Sequence, residues 1–426
     1  MCVEYPGCDL FLNTNLMMDT TKLQNKLPVD ISDYKELVTK DYIFSDKSLF
    51  IRDFMYDCCH VTQLTRPKGF GKTLNLSMLS YFLDINMKED LFANSLISKD
   101  KEFCEKYQGK YPVIFLSFKD IKASSFEESF EQLKVTVSKL YEKHIYLYED
   151  DCLDEFSKKD FEKILNKTAD RSDVLHAIKD LSDYLYTKFS KSCIILIDEY
   201  DTPLQQAYIS GYYDKMMNCI YGIFNMALKD NTHLSKAIIT GITNIGQGGM
   251  FAGFNNHVPY TNLKSRYAEY FGFSKEEVKD LISKANSSAR VEEIQKWYNG
   301  YTNGNKHSVY NPSSVISCLN NGGEMKAYWL NKAQDEFIKQ LLEDAFENVK
   351  KKFLELSKGQ SVEIDFAMNL VFPQIQHCSA YLWTLLIYSG YLNVESMESE
   401  GFRSCATVSL PNKEVAYVCN LMDLKL

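Results

Sequence analysis

The sequence predicts an α/β fold built on a parallel sheet, followed by a mostly helical region that ends in a winged-helix-like module. Four short apolar runs alternate with longer helical patterns, and this alternation stops after Gly272. Three of the runs show little exchange of apolar and polar residues, which is typical of strands covered on both faces of a parallel sheet. Regular strand–helix alternation favours a doubly wound architecture.

The elements can be placed in chain order. Strands are predicted at 61–65, 111–118, 193–198 and 236–242. Helices are predicted around them at 48–57, 73–83, 126–148, 173–189 and 213–228. After Gly272, helices are predicted at 274–285, 290–298, 312–320, 331–357 and 378–389, and two short strands at 391–396 and 405–411. Ser274 and Glu277 form a capping box that begins the first of these later helices.

Composition restricts the class of protein. The 426 residues are 45% hydrophobic and 25% charged, which is enough apolar material to exclude disorder over most of the chain. The 57 acidic residues exceed the 48 basic ones, so the net charge is −9. A chain that binds nucleic acid over its whole surface is usually basic, so only a local basic patch stays open.

Targeting and cysteine patterns point to a reducing compartment. No basic region followed by an apolar core is found at the N-terminus, and no apolar run is long enough to span a membrane. A cytoplasmic or nuclear location is therefore expected. The 12 cysteines show no C-x-x-C spacing, which predicts reduced thiols. Two pairings, His60 with Cys58 and Cys59 and His377 with Cys378, could each form half of a metal site.

A glycine-containing loop carries the strongest chemical signal. Residues 65–73 read T-R-P-K-G-F-G-K-T, directly after a predicted strand and at the start of a predicted helix. In this context the backbone N–H groups of the loop can surround phosphate oxygens, Lys72 can reach the phosphates and Thr73 can bind Mg²⁺. Arg66 stands where the usual pattern has its first glycine. The predicted phosphate-binding residues are Arg66, Pro67, Lys68, Gly69, Phe70, Gly71, Lys72, Thr73 and Leu74.

A second signal lies at the end of the third predicted strand. Four apolar residues, 194–197, precede Asp198 and Glu199. Asp198 is predicted to bind Mg²⁺, directly or through water, and Glu199 to polarise the attacking water. The combination predicts a nucleotide-binding site. One predicted strand, 111–118, lies in sequence between the loop strand and this one, a count that suits the additional-strand class of P-loop NTPases. In that class the next strand carries a polar residue that senses the terminal phosphate.

That sensing residue must be chosen from the end of the fourth predicted strand. Thr240, Thr243 and Asn244 are the polar candidates there, and Asn244 is the predicted sensor. The alternative interpretation of Asn244 is a turn residue before Gly246.

At these residues the sequence resembles the AAA-ATPase-like domain family of P-loop proteins. The resemblance runs from about residue 27 to about residue 342, and its blocks keep the order of the family. The blocks are 66–84, 195–204, 239–256, 271–278 and 297–319. The resemblance implies ATP and Mg²⁺ as ligands and makes Arg66 a family trait. It also implies that Asp201 orders the loop below the acids.

Three further features carry open interpretations. Arg266 is either a phosphate-facing base or a surface arginine. The W-Y-N-G-Y block at 297–301 is either a rigid turn packed on the core or a contact with adenine or an adjacent subunit. Relatives often carry a C-terminal nuclease-like domain, but no D/E-x-K strand follows Ala380 in a suitable context. The nuclease is therefore expected to be absent.

The predicted organisation has four parts. These are a poorly ordered lead-in at 1–27, a nucleotide-binding domain at 28–272, a helical lid-like region at 273–360 and a winged-helix-like module at 361–426. The predicted function is Mg²⁺-dependent ATP hydrolysis that drives a conformational change. A nucleotide-gated switch with negligible turnover and an accessory NTPase of a mobile-element or nucleic-acid-processing system are the alternatives. Self-association, a protein partner and nucleic acid stay open as partners.

Overall fold

The structure, a computed structural model, describes most of the chain. The described residues are 26–229, 231–245, 257–304, 307–329, 332–400 and 403–422. The predicted lead-in therefore lies outside the described residues except for Lys26 and Leu27. The end of the 239–256 block also lies outside them.

A five-stranded, all-parallel sheet forms the centre of the first half of the chain. Its spatial order is β2-β3-β4-β1-β5. The strands are β1 (Val61–Thr65), β2 (Val113–Ser117), β3 (Cys193–Asp198), β4 (Leu234–Gly241) and β5 (His257–Tyr260). One strand, β4, separates β1 from β3, and Thr240 lies beside Leu64 in the register. The parallel arrangement brings the carboxyl ends of these strands to the same edge of the sheet.

The four predicted strands are confirmed, and β5 is an addition. Its sequence, HVPY, contains a proline and shows no apolar run, so the sequence pattern did not indicate a strand. Pro259 lacks a backbone donor and is tolerated because β5 is an edge strand that pairs only with β1 among the described strands.

Helices cover both faces of the sheet. The helices of this half are α1 (Tyr34–Thr39), α2 (Leu49–Tyr56), α3 (Lys72–Leu83), α4 (Lys101–Tyr107), α5 (Phe126–Lys143), α6 (Tyr146–Glu149), α7 (Glu155–Leu165), α8 (Arg171–Phe189), α9 (Thr202–Ile209) and α10 (Tyr213–Phe224). The first core cluster contains Ile195 and Ile197 with apolar residues of α5, α8 and α10. The second contains Ile194 and Leu196 with residues of α2, α3 and α4. Strand β3 is buried at every position because alternate side chains enter the two cores.

The second half is mainly helical with two small antiparallel sheets. Its helices are α11 (Lys275–Lys284), α12 (Val291–Tyr298), α13 (Pro312–Asn320), α14 (Lys332–Glu343), α15 (Glu347–Ser357), α16 (Ser379–Ser389) and α17 (Lys413–Leu421). Its strands are β6 (Tyr301–Asn303), β7 (His307–Val309), β8 (Val362–Phe366), β9 (Asn393–Glu400) and β10 (Arg403–Ser409). The predicted helix 331–357 is two helices, α14 and α15. The capping box of Ser274 and Glu277 begins α11 as predicted.

Strands β8, β9 and β10 form one antiparallel sheet in the order β8-β10-β9. The sequence predicted two of these strands and missed β8, although its residues alternate between buried and exposed. Helix α16 packs on this sheet and is buried from Leu382 to Ser389. We call residues 362–422 the C-terminal module.

The described part of the chain contains neither a membrane-spanning helix nor a disulfide. No helix there is both long enough and apolar enough to cross a membrane. No disulfide joins the cysteines that the structure describes.

Candidate functional site

The loop between β1 and α3 has the backbone geometry that its glycines permit. Gly69 and Gly71 have φ of +84° and +79°, in the left-handed region that glycine enters at little cost. Gly71 is the N-cap of α3, and the first turn of this helix carries no acidic residue. The positive end of α3 and the N–H groups of the loop are therefore arranged for an anion.

Lys72 begins α3 and lies in the buried interior of the loop. Its Nζ donates hydrogen bonds to the backbone oxygens of Arg66 at 2.9 Å and Pro67 at 3.0 Å. Burial lowers the pKa of Lys72, and the negative charges of Glu199 and Asp198 oppose this shift. The Lys72 amine is thus desolvated, and the charges of Glu199 and Asp198 favour its protonated form.

The Asp198 side chain is fully buried, and three hydroxyl groups surround it. Thr73 Oγ1 donates to Oδ2 at 2.7 Å, and Thr240 Oγ1 donates to Oδ1 at 2.6 Å. Ser117 Oγ lies 3.5 Å from Oδ2. These hydroxyls come from the start of α3 and from the carboxyl ends of β4 and β2. The sequence pattern indicated Thr73 and named Thr240 as a candidate, but nothing in it pointed to Ser117.

Glu199 follows Asp198 directly and has a left-handed backbone, with φ of +51°. For a residue with a β-carbon this conformation costs on the order of 1–3 kcal/mol, and such strain is concentrated at functional sites. Its Oε2 accepts a hydrogen bond from Thr202 Oγ1 at 3.2 Å. Burial and the nearby charge of Asp198 raise the pKa of Glu199. The carboxylate therefore takes up a proton more readily than an exposed glutamate does, as a general base requires.

Asp201 holds the backbone that follows β4. Its Oδ2 accepts hydrogen bonds from the N–H groups of Ile242 at 2.9 Å and Thr243 at 2.7 Å, and from Thr243 Oγ1 at 2.7 Å. The Tyr200 hydroxyl donates to the oxygen of Thr243 at 2.6 Å. The two residues after the acidic pair thus fix the position of the segment that leaves the carboxyl end of β4.

Asn244 lies next in this segment, and its side chain points to the C-terminal module. Its Nδ2 donates to the oxygen of Met368 at 3.1 Å and to Asn369 Oδ1 at 2.8 Å. The polar residue of β4 that the structure brings to Asp198 is Thr240. A sensor role for Asn244 stays a prediction.

The side chains of the two arginines considered from the sequence, Arg66 and Arg266, have partners other than Asp198 and Glu199. The Arg66 guanidinium is buried, its Nη1 donates to the oxygens of Thr65 and Tyr260, and its carbon lies 5.2 Å from the centre of the Phe271 ring. Burial lowers the pKa of Arg66 to about 9. Arg266 donates to the oxygen of Asp53 and is half-exposed. The guanidinium of Arg66 thus has partners outside the loop interior, whereas its backbone oxygen accepts a hydrogen bond from Lys72.

Residues from the second half of the chain cover the outer side of the loop. Ser313 N donates to the oxygen of Gly69 at 3.3 Å, and Asn311 Nδ2 donates to the oxygen of Lys68 at 3.4 Å. Phe70 packs edge-on against Tyr301 with ring centres 5.1 Å apart. Leu74 is partly buried and packs against the second core cluster.

The W-Y-N-G-Y block lies beside this cover. A Cβ on Gly300 would fall 1.9 Å from the oxygen of Pro411, and the Tyr298 hydroxyl donates to the oxygen of Lys326 at 3.0 Å. Its last residue, Tyr301, is the one that contacts Phe70 of the loop.

The cysteine pair near the first strand has other partners. Ligand atoms of Asp57, Cys58 and Cys59 lie within 4.8 Å of one another. Lys236 Nζ donates to the backbone oxygens of Asp57 and Cys59, and Arg266 Nε lies 3.6 Å from Asp57 Oδ2. The side chains of Lys236 and Arg266 thus already bring positive charge to the cluster of Asp57, Cys58 and Cys59.

The donor set at the carboxyl end of β3 fits the predicted ligands. The Thr73 hydroxyl and the Asp198 carboxylate are hard oxygen donors 2.7 Å apart, of the kind Mg²⁺ prefers. Lys72, the glycine backbone and the start of α3 together suit a polyphosphate.

A comparison with models of known protein families identifies the family of the chain. Residues 28–251, more than half of its length, match the family model AAA-ATPase-like, described as a predicted AAA-ATPase. No curated protein and no solved structure matches the chain. The chain belongs to the AAA-ATPase-like family.

Proposed function

We propose that the chain is a P-loop NTPase of the additional-strand class that binds ATP with Mg²⁺ and hydrolyses it. One observation carries the proposal. Thr73 of the glycine loop and Asp198 of β3 are 125 positions apart in the chain, yet their side chains meet at 2.7 Å. Strand β4 separates β1 and β3, which is the arrangement that defines this class.

Each residue has a role that follows from its surroundings. The loop backbone and Lys72 bind and orient the phosphates, and Thr73 and Asp198 hold the metal. The metal ion, when bound, would neutralise charge on the phosphate oxygens. Glu199 accepts the proton of the attacking water, since its raised pKa favours proton uptake. Thr240 keeps the Asp198 carboxylate in position.

A nucleotide-gated switch with negligible turnover is the second candidate. Its support is the covered loop, where Asn311 and Ser313 bind the loop backbone and Lys72 is engaged by loop oxygens. Such a site must open before it releases or exchanges a ligand, which slows turnover.

The C-terminal module is proposed to be winged-helix-like. The chain order α15, β8, α16, β9, β10 and the sheet order β8-β10-β9 support this assignment. Winged-helix proteins that bind DNA insert an exposed helix into the major groove. Helix α16 is buried at every position from Leu382 to Ser389. It therefore offers no exposed face for the major groove over this stretch, and it does not support a role in nucleic-acid processing.

The test is phosphate release combined with ligand-induced thermal stabilisation. Wild type with ATP and Mg²⁺ should release phosphate, and Glu199→Gln should bind ATP while releasing it much more slowly. Lys72→Ala should lose ATP-induced stabilisation. At a ligand concentration of 100 times Kd this stabilisation is about 2.7 kcal/mol. The matched controls are Glu363→Gln and Lys88→Ala, which change exposed residues of the same types.

The outcomes separate the two candidates. Tight ATP binding with turnover over hours in wild type would favour the switch. Equal phosphate release by wild type and Glu199→Gln would reject hydrolysis at this site. Stabilisation that survives Lys72→Ala would reject the loop as the binding site.

A further inference from the structure

The segment 368–372 lies in the connection between β8 and α16, and two routes of direct contacts that start at the acidic pair end at this segment. Asp198 and Glu199 are followed by the turn at Asp201 and by α9, and each of these leads to this segment through direct contacts. The residues involved are far apart in the sequence, so only the tertiary structure reveals the convergence.

The first route begins at Asp198 and Asp201. Thr240 of β4 donates to Asp198, and two and three residues further along the chain the backbone N–H groups of Ile242 and Thr243 donate to Asp201. All these groups are buried or half-buried, so their hydrogen bonds cannot exchange freely with water. A shift of the acids therefore moves the backbone at 240–243 as well.

Asn244 carries this route into the C-terminal module. Its Nδ2 donates to the oxygen of Met368 at 3.1 Å and to Asn369 Oδ1 at 2.8 Å. Leu370 N donates to the oxygen of Asn244 at 2.7 Å, and Ile245 forms a parallel bridge with Leu370. Side-chain and backbone hydrogen bonds thus hold the two segments together in one register.

The second route begins at Glu199. Thr202, the first residue of α9, donates to Glu199 Oε2 at 3.2 Å. At the other end of α9, the Tyr208 ring lies 5.5 Å from the ring of Phe372. Helix α9 therefore connects the second acid with the same short segment, through a hydrogen bond at its first residue and ring packing near its last.

Segment 368–372 is in turn fastened to α16. The Tyr388 hydroxyl donates to the oxygen of Met368 at 2.5 Å, and Thr384 Oγ1 donates to the oxygen of Ala367 at 2.7 Å. Tyr388 and Thr384 lie on one face of α16, which is buried against β8. Movement of the segment would thus displace the central helix of the C-terminal module.

We propose that segment 368–372 couples the ligand state of the acidic pair to the C-terminal module, with the Asn244–Asn369 hydrogen bond as the contact that transmits it. The inference rests on the proposed nucleotide site and names the element that responds to it. A ligand that shifts the acids changes the free energy of both routes, and by reciprocity the position of the module changes the affinity for that ligand. Asn369 acts through Asn244 and is a positioning residue.

The experiment compares amide hydrogen exchange of wild type and two variants of similar size. Asn369→Asp keeps an oxygen that accepts from Asn244 Nδ2, whereas Asn369→Leu removes it. Each protein is measured free, with Mg²⁺ and ADP, and with Mg²⁺ and ATP. In wild type and Asn369→Asp, ATP should change the exchange rates of peptides from 362–389 by about fivefold or more. In Asn369→Leu this change should disappear while ATP-induced thermal stabilisation persists. If the leucine variant does not fold, Asn369→Ala removes the same acceptor with less bulk.

The control is Asn321→Leu, because Asn321, which directly follows α13, is exposed and its side chain donates only locally to the backbone oxygen of Ser317. It should behave as wild type. Full exchange changes in folded Asn369→Leu or Asn369→Ala would overturn the coupling role of this contact. Unchanged exchange at 362–389 in wild type that does bind ATP would overturn the coupling as a whole. No Lys72-dependent ATP binding in wild type would reject the proposed function, and the inference would fall with it.

Discussion

Thr240 Oγ1 donates a hydrogen bond of 2.6 Å to Oδ1 of Asp198 from the neighbouring strand β4. The other carboxylate oxygen accepts from Thr73 at 2.7 Å, so both oxygens of the acid are held by threonines from different elements. This arrangement fixes the carboxylate plane before any ligand arrives, which lowers the reorganisation that binding requires.

Thr240→Val should weaken the site, because valine has nearly the same shape but no hydroxyl. The buried Asp198 oxygen would lose its donor, at a cost of about 1–3 kcal/mol. We expect this loss in the free energy of unfolding and a clear fall in Mg²⁺–ATP affinity, measured by urea denaturation and isothermal titration. Thr240→Ser retains the hydroxyl and should stay near wild type. Equal losses in both variants would contradict a role for the hydrogen bond.

Gly241→Ala should be strongly destabilising for a steric reason. A Cβ at this position would lie 2.5 Å from Asp201 Oδ1 and 2.7 Å from Tyr200 Cε1, and both side chains are buried. Overpacking of this kind costs about 1–3 kcal/mol. The comparison is Gly359→Ala, where the Cβ meets nothing within 4 Å and only the positive φ of 79° matters. Urea denaturation should show the larger loss for Gly241→Ala. A larger loss for Gly359→Ala would mean that the structure relaxes around residue 241.

Arg66→Met should leave ATP affinity within about twofold of wild type, a change of under 1 kcal/mol. The reason is that the guanidinium lies under Phe271 and donates to backbone oxygens of Thr65 and Tyr260. Its Nε and Nη2 find no hydrogen-bond partner among the residues that the structure describes. Lys72→Met is the positive control and should abolish ATP-induced stabilisation. An affinity loss for Arg66→Met as large as that of the control would place the guanidinium on the phosphates.

Glu414→Gln should remove one component of the dependence of stability on pH. Glu414 is fully buried and accepts from Ser314 Oγ, Tyr328 N and Trp329 N, and burial raises its pKa to about 7 from 4.5. The unfolded chain ionises this group near its ordinary pKa, whereas the folded chain keeps the proton up to the raised value. Between these two values the unfolded state binds fewer protons, so the stability falls as the pH rises.

The expected contribution is a loss of about 3 kcal/mol between the two pKa values, complete above the upper one. Urea denaturation of both proteins at about pH 5 and about pH 8 measures it. The drop should be smaller in Glu414→Gln, since glutamine keeps the hydrogen bonds but cannot ionise. The same drop in both proteins would show that other groups cause it.

Local patterns in the sequence determined the strands that are buried on both faces, the glycine loop at the start of α3 and the acidic pair at the end of β3. Each is a short-range consequence of side-chain chemistry: the apolar run of β3, φ freedom at Gly69 and Gly71, and carboxylates that follow a buried strand. The family match over residues 28–251 includes the glycine loop and the acidic pair. Strand β5 and strand β8 escaped detection because one is an edge strand with a proline and the other is too short for its alternation to stand out.

Only the tertiary structure decided which side chains meet. The hydroxyls of Ser117 and Thr240 reach Asp198 because parallel strands end at one edge of the sheet, and no local pattern specifies their order in the sheet. The direction of Asn244 toward Asn369 likewise depends on how a segment 125 positions further along packs beside it. Side-chain chemistry sets what each residue can do, whereas long-range packing sets the partner with which it does it.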